Sequence, residues 1–434
     1  MKVIWLTNCL MPDHARALGA SISHRGGWLP ALARELVADQ RVELAVATTA
    51  PVTCTGKITD NGIHYYGVPH RRVVHAGRNL PRWLIKGYQD IIQDFQPDVI
   101  HIHGTEYFHG LLTKEDQISC PAVVSIQGII DVCQHHWYGG LSPDVLNAKR
   151  TLRDRMRRDG LGEQKQKLVK RAAVEREIFS HNSNFIGRTE WDRQQTARLN
   201  PTANYYHCDE LLRTPFYGAT WQFECSQRYT LFTSGASYPL KGFHVLVKAL
   251  NLLRPDFPGI SVRVLLSHVY PRASGWQRIW KTCRSRGYAR YLTDLIRKEG
   301  LTDHIVTLPP LDAQGVVEEL KRAHLFVLPS FMENSSNALS EAMMVGTPSV
   351  VSKVGGIPSL ACHEESALMF PAGDEVQLAE QIRRLFLDEA YAQQLSSKAQ
   401  VIAQERHAVL KIVNTMLDIY HGVASKVSRE AVNR

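Results

Sequence analysis

The chain has 434 residues, enough for two or three domains of ordinary size, and 44% of them are apolar, so each domain can bury a core. No apolar run approaches the ~20 residues of a membrane span, and Met1–Thr7 runs into polar Asp13–Arg16, too short an apolar stretch for a secretory leader. The net charge of +9 is local: residues 149–176 carry eleven Lys/Arg against four Asp/Glu and residues 272–298 carry eight against one, +7 each, which leaves 9 − 14 = −5 for the rest.

In chain order, Val3–Leu6 reads as a buried strand, Trp28–Leu36 as the first helix and Val42–Ala47 as a second strand. Leu84–Phe95 reads as a helix stopped by Gln96-Pro97. Asp98–His103 and Ala122–Ile126 read as strands, and Phe185–Arg188 as another. The pattern restarts after Cys225. Tyr229–Thr233, Val262–Leu266, Ile305–Leu308, Leu325–Leu328 and Ser349–Ser352 read as strands, with helices at Phe243–Leu253, Asn337–Val345, Gln377–Leu387 and Tyr391–Gln404. Val409–Val423 is apolar at helical spacing. Strands alternating with helices imply parallel sheets covered on both faces. The expected architecture is α/β in two similar halves joined near Phe216–Gln227. In such sheets ligands sit beyond the carboxyl ends of the strands.

The eight cysteines, Cys9, Cys54, Cys120, Cys133, Cys208, Cys225, Cys283 and Cys362, are scattered and form no ligand-spaced cluster with histidine. They indicate neither a disulfide framework nor zinc, and fit a reducing cytosol. The second basic segment sets Trp276, Ile279, Trp280 and Cys283 at helical spacing, followed by Tyr288, Tyr291, Leu292, Leu295 and Ile296. A basic amphipathic stretch with tryptophans suits an anionic membrane surface. Two solvated helices packing their apolar stripes on the protein would look the same. Nucleic acid is not expected, because no recognised binding motif accompanies the charge.

One turn carries more chemistry than the rest. Pro329-Ser330-Phe331-Met332-Glu333-Asn334-Ser335-Ser336-Asn337-Ala338-Leu339-Ser340-Glu341 joins a buried strand to a helix that Gly346-Thr347-Pro348 stops. Glu333 lies in the loop and Glu341 in the second helical turn. A helix N-terminus receives phosphate, and flanking carboxylates accept hydrogen bonds from sugar hydroxyls. Together they suit a nucleotide-sugar. Two ordinary surface glutamates near a helix start are also what the macrodipole favours.

With Gly-Thr-Pro and Gly355-Gly356-Ile357-Pro358 in order behind it, this segment resembles the E-x7-E region of retaining GT-B glycosyltransferases, family 4, in a variant similar to bacterial surface-polysaccharide members. The resemblance is specific from Tyr229 to Asp374. It implies two Rossmann-like domains facing across a deep cleft: an acceptor domain over 1–218, a nucleotide-sugar donor domain over 226–405, and a terminal helix over 406–434 crossing back to the first domain. It also implies roles. Glu341 would bind the ribose hydroxyls. Glu333 would hold the donor sugar. Lys241, with the amides of Asn334, Ser335, Ser336 and Asn337, would neutralise the diphosphate. Glu333 and Lys241 are the expected catalytic pair. Lys241 matches the family's Gly-Arg-…-Lys-Gly segment, but Ala236 stands where arginine is usual. Gly26-Gly27 resembles the family's glycine loop. Ser125-Ile126-Gln127-Gly128 resembles its His-Gly segment with Gln127 in the histidine's place, so Gln127 can hold a hydroxyl but cannot act as a base.

His103, Gln127 and Arg188 are the remaining candidate sugar or acceptor contacts; for Arg188 a structural salt bridge is the plainer role, and for His103 a satisfied structural imidazole is an equal alternative. His135-His136 lies in a Trp/Tyr/Gly loop suited to sugar stacking. No Asp-x-Asp follows a strand, so no metal and no other cofactor is expected. The implied function is retaining sugar transfer from a nucleotide-sugar, a UDP-sugar favoured, to a saccharide or lipid-linked saccharide in surface polysaccharide biosynthesis, by a cytoplasmic protein peripheral to the inner membrane face. A GT-B-type epimerase or phosphorylase, or a non-catalytic nucleotide-sugar-binding protein, are the alternatives.

Overall fold

The computed structural model describes residues 1–18, 27–50, 57–69, 79–114, 118, 120–266, 268–270, 272, 275–276, 280–281 and 285–432. They form two compact units. Unit 1 comprises Met1–Asp131, Val169–Arg213 and His407–Arg434; unit 2 comprises Val132–Leu168 and Thr214–Arg406.

Unit 1 carries strands β1 (Lys2–Thr7), β2 (Glu43–Ala50), β3 (Ile58–Asp60), β4 (Ile63–Pro69), β5 (Val99–His103), β6 (Ala122–Ser125), β7 (Asn184–Gly187) and β8 (Asn204–His207). They order β3-β4-β2-β1-β5-β6-β7-β8, and only the β3–β4 pair is antiparallel. The inner strands are apolar without alternation because helices cover both faces. Strand order reverses between β1 and β5, where Ile4 pairs with Ile100 on one side and with Ala45 on the other. The terminal helix Val409–Val432 completes this unit. Its Ile412, Val413, Met416, Leu417, Tyr420 and Val423 share a core with Val3, Trp5 and Leu29. The Tyr420 hydroxyl accepts from Trp5 Nε1 at 3.0 Å and meets His101 Nδ1 at 2.8 Å.

Unit 2 carries β9 (Gln227–Thr233), β10 (Ser261–Leu265), β11 (Ile305–Leu308), β12 (Ala323–Leu328), β13 (Ser349–Ser352) and β14 (Leu368–Phe370). The sheet is parallel in the order β11-β10-β9-β12-β13-β14. Its reversal lies between β9 and β12, where Phe232 pairs with Phe326.

The sequence reading differs from the structure in several places. A short helix, Pro12–Ala17, precedes Trp28–Ala38. The reading did not include strands β3, β4, β8 and β14, nor the helices Pro143–Ala148, Leu152–Arg157 and Ala313–Arg322. Residues 132–168, assigned by sequence to the first half, cluster with unit 2. Leu146 enters the second core, Lys149 pairs with Asp294 at 2.7 Å, and Asp154 accepts from the Gly287 amide at 2.9 Å. These contacts join segments far apart in sequence, which local periodicity does not report.

Candidate functional site

In unit 2 the loops after β9 and β12 leave the sheet at its switch point, the position that gives an open α/β sheet its crevice. The two loops are locked together. The Phe331 amide donates to Leu240 O at 2.8 Å. Gly242 (φ +67°) lies so close to Pro329 that a Cβ there would sit 1.8 Å from its carbonyl oxygen, so only glycine fits. This fixes Lys241 against Glu333: Nζ donates to Oε1 at 2.6 Å. The Ser330 hydroxyl donates to the same oxygen at 2.6 Å, and Oε2 has no hydrogen-bond partner among the described residues. From the other side, Gly355 (φ +50°) brings its backbone onto the Glu333 carbonyl, which accepts from the Gly356 amide at 3.1 Å.

Burial disfavours the charged form of Lys241, but the Glu333 carboxylate and Tyr238 outweigh it and hold the amine's pKa above its ordinary value. Lys241 is therefore a fixed cation. The Tyr238 ring stacks on Trp137, centroids 5.3 Å apart.

After Glu333, Asn334 and Ser335 lead to Ser336, whose hydroxyl caps the helix Asn337–Val345 by accepting from the Leu339 amide. Glu341 is buried in the second turn. The structure thus brings together Lys241, Glu333, Asn334, Ser335, Ser336, Asn337 and Glu341 around one helix N-terminus. Ala236 is buried in the unit 2 core.

The other predicted residues lie in unit 1. Gly27 is the N-cap of Trp28–Ala38, and a Cβ on it would come within 2.8 Å of the Arg213 side chain; Gly26 lies outside the described residues, as do Ile279, Cys54 and Cys283. His103, Gln127 and Arg188 meet in one cavity of about 20 Å³, room for a water and not for a sugar. Arg188 is buried, paired with Glu210 at 2.5 Å and donating to Ile126 O at 3.0 Å. Gln127 Nε2 donates to Glu210 at 2.7 Å. The His103 ring lies against the His101 ring, centroids 3.9 Å apart and tilted by 32°, and neither of its nitrogens has a hydrogen-bond partner among the described residues. Burial, and secondarily His101, hold His103 well below the usual histidine pKa. Burial lowers His101 to about 3.

Sequence reasoning missed two acids here. Glu175 is fully buried, accepting from Thr105 Oγ1 at 2.6 Å and the Asp131 amide at 2.7 Å. Burial raises it to about 8. Glu106 follows β5, and burial raises its pKa as well. The position of Glu106, three residues beyond a strand end, was a usable signal. Glu175 sits in a basic helical run that reads as solvated.

Comparison with solved structures gives the class. Sucrose-phosphate synthase from Thermosynechococcus elongatus superposes with a TM-score of 0.72 at 16% identity, covering 98% of this chain and 100% of that one. Anabaena HepE in complex with UDP and glucose superposes with a TM-score of 0.65 at 15% identity, covering 97% and 100%. The two doubly wound α/β units are thus those of GT-B proteins. Residues 223–401 match the family described as "Glycosyl transferases group 1" and residues 29–207 the "Glycosyl transferase 4-like domain". The chain thus has the GT-B fold, with a group 1 glycosyltransferase domain over residues 223–401 following a glycosyltransferase-4-like domain over residues 29–207. Among curated proteins, the D-inositol 3-phosphate glycosyltransferase of Saccharomonospora viridis is 31% identical over 188 residues, 43% of this chain. The match spans 41% of that relative's length.

Proposed function

We propose that the chain transfers a sugar, with retention, from a UDP-sugar to a saccharide or lipid-linked saccharide of a surface polysaccharide. The observation that carries this reading is the Lys241–Glu333 pair at the switch point of unit 2, beside a capped helix N-terminus. UDP is favoured because the HepE structure with the same fold holds UDP and glucose.

In this reading the donor diphosphate lies against Lys241 and the amides of residues 334–337, Glu341 binds the ribose, and the open Oε2 of Glu333 accepts from a donor-sugar hydroxyl. The acceptor hydroxyl attacks the anomeric carbon on the face from which the diphosphate departs. The bond from that carbon to the diphosphate oxygen breaks as the new glycosidic bond forms, and the acceptor proton passes to the departing phosphate. Lys241 neutralises the charge that develops there, a contribution of about 3–4 kcal/mol for one well-placed group. The reading uses no metal and no protein base, so the burial-lowered imidazoles of unit 1 are not called on.

A transfer assay with UDP-sugars and saccharide acceptors tests it: product formation lost in Glu333→Ala is expected. UDP binding without transfer to any acceptor would instead favour a nucleotide-sugar-binding protein, the reading that Ala236 and Gln127 support.

A further inference from the structure

The two basic stretches, distant in sequence, both line one cavity in unit 2, about 840 Å³ in volume, beyond the carboxyl ends of β9 and β10. Its floor, Ala236, Leu266 and Tyr288, is apolar and buried. Its rim is apolar and exposed: Leu152 is 60%, Met156 77% and Trp280 60% accessible, and nearby Trp276 is 84% accessible. Arg153, Arg157, Lys281 and Arg286 line the same cavity, and among the described residues no carboxylate does. Among the cations of these stretches, Lys149 is paired with Asp294 and Arg153 with Asp159. Arg157 and Arg286 of the lining, and Arg155 and Arg158 close to Arg157 in the chain, are exposed and make no ion pair among the described residues. The short helix Leu152–Arg157 is the reason. Its one acidic residue, Asp154, faces inward as the cap partner of Thr151 and of the Gly287 amide. That leaves leucine, methionine and arginines outward.

Large apolar side chains grouped on a surface mark an interaction site. Combined with unpaired cations and no facing acid, they match the layer where acyl chains meet anionic headgroups. We propose that this face of unit 2 docks on a bilayer containing anionic phospholipid. Leu152, Met156, Trp276 and Trp280 enter the interfacial layer, and the arginines bind phosphate. The proposal stands apart from the sugar-transfer reading.

Sedimentation of the full chain with vesicles tests it, using phosphatidylglycerol vesicles beside phosphatidylcholine ones. Partition into the anionic vesicles is expected, with at least a tenfold fall in Met156→Glu/Trp280→Glu and in Arg155→Glu/Arg158→Glu. Raising salt from about 0.1 M to about 1 M, which shortens the screening length about threefold, should also release the wild type. Any one of three results overturns it: no partition into anionic vesicles, equal partition into phosphatidylcholine, or unchanged partition in both variants. UDP titration and the unfolding midpoint of each variant separate lost docking from lost folding. Failure of UDP binding in the wild type would count against the donor site and not against docking.

Discussion

The two sheets present their switch points with opposite electrostatics. In unit 2, the loops after β9 and β12 hold a lysine kept charged by a carboxylate that still has one oxygen open. In unit 1, the ends of β5, β6 and β7 hold imidazoles kept neutral by burial and an Arg188–Glu210 pair directed inward. One topology therefore serves two purposes in the proposed reading: unit 2 takes up an anion, while unit 1 spends its polar groups on itself. Topology locates a crevice, but the balance of burial against partner charge decides what the crevice can bind.

The largest effect that would sharpen this contrast is at Lys241. Lys241→Ala should lower kcat/KM for transfer by about 10²–10³, measured by steady-state kinetics. Arg188→Met should instead act on stability. It strands buried Glu210 and should cost roughly 3–5 kcal/mol by denaturant unfolding, with UDP affinity of the folded fraction unchanged. If Arg188→Met removed UDP binding and left stability intact, the roles of the two units would have to be exchanged. Gly242→Ala comes next. Its Cβ cannot fit beside Pro329 O, and strain of about 1–3 kcal/mol should loosen the lysine loop, seen as a lowered unfolding midpoint together with weaker UDP binding.

Glu175 gives an effect confined to pH. Its pKa rises from the ordinary 4.5 to about 8 in the fold. Between these values the unfolded chain has released the proton and the folded chain keeps it, so stability falls as pH rises through that window. Glu175→Gln should flatten this slope, measured by unfolding at pH 5 and pH 8. Tyr420→Phe acts on stability alone. It leaves Trp5 Nε1 and His101 without their shared partner and should cost about 1–3 kcal/mol, with kinetics unchanged.

Much of this was legible in the residues. Asn337–Val345 and Phe243–Leu253 have the bounds that apolar spacing and the Gly346 and Gly242 breakers imply. Lys241 and Glu333 could be placed in one site because their segments resemble the Lys-Gly and E-x7-E segments of the GT-B family. What was not legible depends on long-range packing. The attachment of residues 132–168 to unit 2 rests on contacts such as Lys149–Asp294 and Asp154–Gly287, which no window along the chain contains. Glu175 looked solvated because its neighbours on the helix are basic. His103 gave no sequence sign that its ring would lie against His101 with both nitrogens buried.

The most direct test of the central claim is calorimetric titration of UDP, GDP and ADP into the wild type and into Glu341→Ala. The account predicts micromolar binding of UDP to the wild type and its loss in the variant, since Glu341 lies in the helix whose N-terminus would hold the diphosphate. Binding of UDP that Glu341→Ala leaves unchanged, or no binding of any of the three to the wild type, would contradict a donor site in unit 2.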